Sequence, residues 1–159
     1  MRKEKEITVE AALAKAAALC SSSERCTSQI REKLRAWGVS DDDADDIVRR
    51  LVEERFIDNA RFARAYCHDA FRYNHWGRVR IRQMLCRLHL SDDEIAEGMT
   101  AIPEEAYREA LSKALHAKDR TSDDTDAFRR KGKLIRHLLS RGFETELVLD
   151  ILDRAERDA

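Results

Sequence analysis

The chain has 159 residues, 43% apolar and 38% charged, with one proline and five glycines. That is enough for a buried core and too little turn material for a sheet-rich fold. The 30 lysines and arginines against 31 acids leave a net charge of −1, which argues against a protein that coats nucleic acid through its overall charge.

The first segment, AALAKAAALC at 11–20, has the outline of an exported lipoprotein leader. Glu4, Glu6, Glu10 and Lys15 interrupt it, and Leu19 stands where a small residue should precede the cysteine. No run reaches the roughly 20 apolar residues of a membrane span. A cytoplasmic protein with no membrane association is expected. Cys20, Cys26, Cys67 and Cys86 contain no C-x-x-C pair, which fits free thiols in a reducing compartment. Cys86 and His89 stand three apart, and two ligands do not make a metal site. Neither metal nor cofactor is expected.

Amphipathic segments at 7–20, 59–73 and 103–118 each precede one of three stretches that align without gaps. These are IREKLRAWGVSDDDADDIV from Ile30, IRQMLCRLHLSDDEIAEGM from Ile81, and LIRHLLSRGFETELVLDIL from Leu134. Ile30, Ile81 and Leu134 coincide, as do Leu34, Leu85 and Leu138; Val39, Leu90 and Phe143; and Val48, Met99 and Leu152. Each stretch reads as two helical runs around a break. Gly38 and Gly142 in the breaks suit helix C-termini. Ser40 and Ser91, followed by acids, suit N-caps of the next helices. Pro103 with Glu104 and Glu105 makes a good first helical turn. The expected fold is all-α: an elongated, curved array of three tandem three-helix repeats, nine helices, with units at 1–57, 58–102 and 103–159. Flexible joints are expected near 56–58 and 100–103, with a polar loop at 119–126.

Within the second unit, WGRVRIRQML at 76–85 alternates Arg78, Arg80 and Arg82 with Val79 and Ile81, as a half-buried strand would. The repeat favours a helix instead. Ile81, Met84, Leu85 and Leu88 then form one apolar stripe. Arg80 and Arg87 flank one side of it, and Arg78, Arg82 and His89 the other.

The charges are blocked along the chain. Residues 40–58 hold eight acids against three arginines, whereas 61–90 hold seven arginines and a single acid, Asp69. Arg61, Arg64, His68 and Arg72 fall at i, i+3, i+7 and i+11, a basic stripe whose opposite side is Phe62, Tyr66, Ala70 and Tyr73. Arginines in the first turns of a helix oppose its positive end, so an anion from elsewhere should dock there. Phosphate, a partner's carboxylate and the protein's own acidic loops all satisfy that requirement. Arg129, Arg130, Lys131, Lys133 and Arg136 offer a secondary basic surface in the third unit. No phosphate-binding glycine loop, H-E-x-x-H or nucleophile motif is present, and no catalytic residue is assigned.

LVEERFIDNARFARAYCHDAFRYNHWGRVRIRQMLCRLHLSDDEI, from Leu51 to Ile95, resembles the RecX family, small bacterial regulators of the RecA recombinase. The carrying residues are Arg55-Phe56-Ile57-Asp58, Arg61-Phe62-Ala63 with Tyr66, Gly77 through Leu85, and the RGF at 141–143 within LIRHLL-SRGF. Arg55 and His89 stand where the family commonly has glycine, and Asn59 where it has Asp. The resemblance implies a monomeric, non-enzymatic regulator that lies in the RecA–DNA filament and restrains its ATPase, strand-exchange and co-protease activities. The expected contact set is Arg61, Arg64, His68, Arg72, Arg78, Arg80, Arg82 and Arg87. The alternative is a DNA-binding helical-repeat protein acting through phosphate contacts.

Overall fold

A computed structural model describes residues 6–159. The first five residues of the expected 1–57 unit lie outside that range. Among the described residues there are nine α-helices and no strand: α1 Val9–Ser22, α2 Thr27–Ala36, α3 Asp41–Glu53, α4 Asn59–Arg72, α5 Arg78–Arg87, α6 Asp92–Met99, α7 Glu104–Thr121, α8 Ala127–Ser140 and α9 Thr145–Arg157. The accessible surface of 10843 Å² exceeds the roughly 8,200 Å² expected for a compact 18.4 kDa chain, so the helices are strung out rather than gathered round one centre. The WGRVRIRQML segment is helical, with Ile81 and Leu85 fully buried.

Local chemistry explains most boundaries. Ser40 Oγ accepts from the Asp43 N–H, and Ser91 and Glu94 form a reciprocal capping box. Gly38 and Gly142 end their helices at φ 82° and 96°. Arg55 and His89 take the same left-handed conformation at φ 61° and 60°, as does His75 at φ 57°. The chain geometry thus demands a glycine-like position there even where the residue is not glycine.

Four expectations change. Pro103 is the residue before α7, not part of its first turn. Helix α7 runs on to Thr121, so the polar loop shrinks to 122–126, held by Asp124, which pairs with Lys133 at 2.9 Å and Arg129 at 3.5 Å. Tyr73, the C-cap of α4, is 66% exposed rather than buried, its ring edge-on to His68 at 6.3 Å. The joints at 56–58 and 100–103 bury Ile57 and Ile102, which makes them anchored corners rather than free linkers.

Buried side chains form two clusters. Helices α1–α3 enclose Ala12, Ala16, Ile30, Leu34, Ile47, Val48 and Leu51. A larger cluster runs from Phe62 and Ala63 through Ile81 and Leu85 to Tyr107, Leu138 and Leu152, so α4–α6 and α7–α9 share one core. Gly98 lets α6 press against α4: a Cβ there would fall 2.6 Å from Ala63 Cβ.

Helix α5, with Gly77 at the cap position, has no side-chain cap, and in α2, with Cys26 there, Gln29 Oε1 reaches back to accept only the Cys26 N–H, at 3.1 Å. Their first backbone donors are satisfied by the following unit. The Thr27 N–H donates to Asn59 Oδ1 at 3.0 Å, and the Arg78 N–H to the Tyr107 hydroxyl at 3.0 Å. Helix α8 is capped from within its own unit, by Asp126 accepting from the Arg129 N–H.

Candidate functional site

The central unit's cations divide into those engaged inside the protein and those left facing outward. Arg61 Nε pairs with Glu24 at 2.6 Å, and the same guanidinium also donates to the carbonyls of Arg55 and Phe56. It therefore ties α4 to the preceding unit. Arg64 pairs with Glu97 at 2.8 Å, bridging α4 and α6. His68 Nδ1 lies 3.0 Å from Asp69. Arg72, last in the stripe, is exposed and makes no ion pair among the described residues.

At the start of α5 the missing anion is the protein's own. Arg78 donates to Glu104 at 2.8 Å and to Glu144 at 2.7 Å, and its guanidinium lies 3.9 Å over the Tyr107 ring. Tyr107 in turn donates its hydroxyl proton to Glu144. Burial pulls the Arg78 guanidinium down, but its hydrogen bonds to Glu144 and Glu104 outweigh that and hold it above its ordinary value. Burial, reinforced by the Glu144 hydrogen bond, pushes the Tyr107 phenol well up, so it stays protonated and keeps donating. Arg78 joins the second and third units and is not available to a ligand.

Arg80 stacks over Trp76 at 4.2 Å, while Arg82 and Arg87 are exposed. None of these three, nor Arg72, forms an ion pair among the described residues. The arrangement leaves four unneutralised guanidiniums on α4 and α5, a group suited to carboxylate or phosphate. The third-unit surface is more occupied: Arg129 and Lys133 pair with Asp124, Arg130 with Asp119 at 2.6 Å and Lys131 with Glu156 at 3.0 Å. Only Arg136 of that set is without an acid partner among the described residues.

Glu104, Tyr107 and Glu144 are not identifiable from sequence. They lie 26 to 66 residues from Arg78, and each looks like ordinary helix surface or core in its own segment.

All four cysteines are free thiols, and burial pushes the Cys67 thiol up to about 11. Among the described residues no three His, Cys, Asp or Glu side chains gather as a metal site would require, and no helix is long and apolar enough to cross a membrane.

Two family models match consecutive units: the first three-helix domain of RecX over residues 12–51 and the second over 58–99. A "Regulatory protein RecX" from Clostridium botulinum is 29% identical over 131 residues, covering 80% of this chain. The chain spans only 60% of that relative's length. A protein of the same name from Prosthecochloris aestuarii is 29% identical over 136 residues, covering 82% of this chain and 83% of its own. The crystal structure of RecX from Lactobacillus salivarius superimposes with a TM-score of 0.83 at 17% identity, over 93% of this chain and 96% of that one. With both unit models in register with α1–α6 and the whole helical path reproduced, the chain belongs to the RecX family.

Proposed function

We propose that this protein is a non-enzymatic, cytoplasmic regulator that binds the RecA–DNA filament as a monomer and restrains its ATPase, strand-exchange and co-protease activities. The observation that carries the reading is the matching of two successive units to the RecX domains. A strung-out array of three units, at 1–57, 58–102 and 103–159, suits a filament physically. Several weak patches along a rod gain affinity on a repeating lattice, and blocked charge adds register. Arg72, Arg80, Arg82 and Arg87 are the leading contact residues. Arg61, Arg64 and Arg78 are already engaged by Glu24, Glu97, and the Glu104–Glu144 pair.

The test is co-sedimentation with preformed RecA filaments, with ATP hydrolysis followed in parallel. The variant Arg82→Glu/Arg87→Glu removes two exposed cations without touching the Arg78 network. It should retain wild-type helical content, bind filaments at least tenfold more weakly and inhibit ATP hydrolysis less. Unchanged inhibition by the folded variant would exclude this surface as the contact. Unneutralised arginines also suit DNA phosphates directly. In that case affinity for naked DNA should match affinity for the filament and fall by roughly 0.9 log units per phosphate contact per log unit of salt.

A further inference from the structure

Between α7 and the C-terminal ends of α4 and α8 lies a groove of about 720 Å³ that no side chain of the described protein fills. Its floor follows α7 through Ala106, Ala110, Ala114 and Ala117, on one face of the helix. Phe71 and Phe143 complete the floor, and both rings pack on Tyr107, at 5.9 and 5.4 Å, so they lie beside the first half of α7. The lining extends to Thr121, a run of about 22 Å at 1.5 Å per residue, or roughly four helical turns.

The rim is basic. Arg72, His75, Lys113, Lys118, His137 and Arg141 surround the floor, and Glu109 is the only acid of the lining. Glu109 is already taken by Lys113, at 3.1 Å. Arg141 donates only to the Asn74 carbonyl, a neutral partner, and Arg72 and Lys118 make no ion pair among the described residues. His137 reports the same excess of positive charge: burial, then Lys118 and Arg141, hold its imidazole below the ordinary histidine range.

We propose that this groove receives an acidic amphipathic helix presented by a partner protein. The length matches four turns. The alanine floor lets a second helix approach closely, where larger side chains would hold it off. Apolar anchors at i, i+3 or i+4 and i+7 would meet Phe71, Phe143 and the alanines. Acids flanking those anchors would meet Arg72, Lys118 and Arg141. The proposal goes beyond the filament reading, because it requires neither RecA nor DNA, and either can fail without the other.

The probe is a displayed library of 18-residue helical peptides with fixed leucines at i, i+3, i+4 and i+7 and the other positions randomised among Glu, Gln and Lys. It is selected on the full chain, and the affinities of the recovered peptides are measured by fluorescence anisotropy. Glutamate should be enriched over lysine, and Ala110→Trp, which fills the floor, should weaken binding at least tenfold. Lys118→Glu, a surface change that leaves the core alone, should weaken it several-fold and decides the matter if Ala110→Trp does not fold. Recovery of no binder above a scrambled control, enrichment of lysine, or equal binding to folded variants would each overturn the proposal. So would displacement of the peptide from the groove by a DNA oligonucleotide, or a self-association of the chain that Ala110→Trp abolishes.

Discussion

At the corner between α4 and α5, the Gly77 N–H donates to the Arg141 carbonyl at 2.8 Å and the Val79 N–H to the Gly142 carbonyl at 2.9 Å. At the equivalent corner between α1 and α2, the contact is a side chain: Ser28 Oγ donates to the Leu88 carbonyl at 2.6 Å. In the internal alignment Ser28 corresponds to Val79, Leu88 to Arg141 and His89 to Gly142. The same meeting of helix start and helix end is therefore built twice, once from backbone and once with a hydroxyl spacer. The difference follows from two residues. A Cβ at Gly77 would lie 2.3 Å from the Gly142 carbonyl carbon, and one at Gly142 2.4 Å from Arg80 Cβ, so direct backbone contact needs glycine on both sides. Cys26 and His89 at the other corner cannot come that close.

Packing follows the same division. The second and third units share one apolar cluster, locked by the Arg78, Tyr107 and glutamate network, while the first unit contributes only Cys26 to it and keeps a cluster of its own. The first junction rests on polar contacts from Asn59, Ser28 and Arg61 and on one apolar side chain, the fully buried Cys26, and it leaves the second carboxylate oxygen of Glu24 buried without a partner among the described residues. Two junctions of one topology thus differ in what holds them: direct backbone contact and a shared core at one, mostly side-chain polar contacts at the other.

Breaking the tighter junction should have the largest effect. Gly77→Ala forces the helix start off Gly142 and should destabilise the protein by about 3 kcal/mol in urea unfolding, with α4–α9 losing cooperativity together. Asn59→Ala strikes the looser junction by removing the acceptor of the Thr27 N–H. A loss of about 1 kcal/mol is expected, with hydrogen exchange rising in α1–α3 and not in α7–α9. Equal acceleration in all three units would mean that the junctions do not differ. The smallest effect should come from His89→Gly, which makes the looser corner more like the tighter one. Relief of the positive φ should stabilise by roughly 0.5–1 kcal/mol, read as a small rise in the urea midpoint.

The helices, their order and much of their core were legible because their signals are local. Period, capping serines and the coincidence of Ile30, Ile81 and Leu134 all sit within short windows, and those three residues are buried. Arg55 and His89 were legible as positions where glycine belongs, and both adopt positive φ. The role of Arg78 was not, because its partners come from two other helices and a glutamate at a helix start looks the same whether it faces water or a distant guanidinium. Tyr73 was not legible as exposed either: it keeps the apolar spacing of Phe62, Tyr66 and Ala70, but at the C-cap of α4 it is 66% exposed.

The caps supplied from the following unit give the array a direction. Each of α2 and α5 depends on a residue farther along the chain, Asn59 for one and Tyr107 for the other. During synthesis the N-terminal helices emerge first, so α2 waits for α4 and α5 waits for α7 before their ends are closed. Until then those two helix starts have only water for their first donors and should fray. Consolidation should therefore run backwards along the chain, each new unit finishing the one made before it.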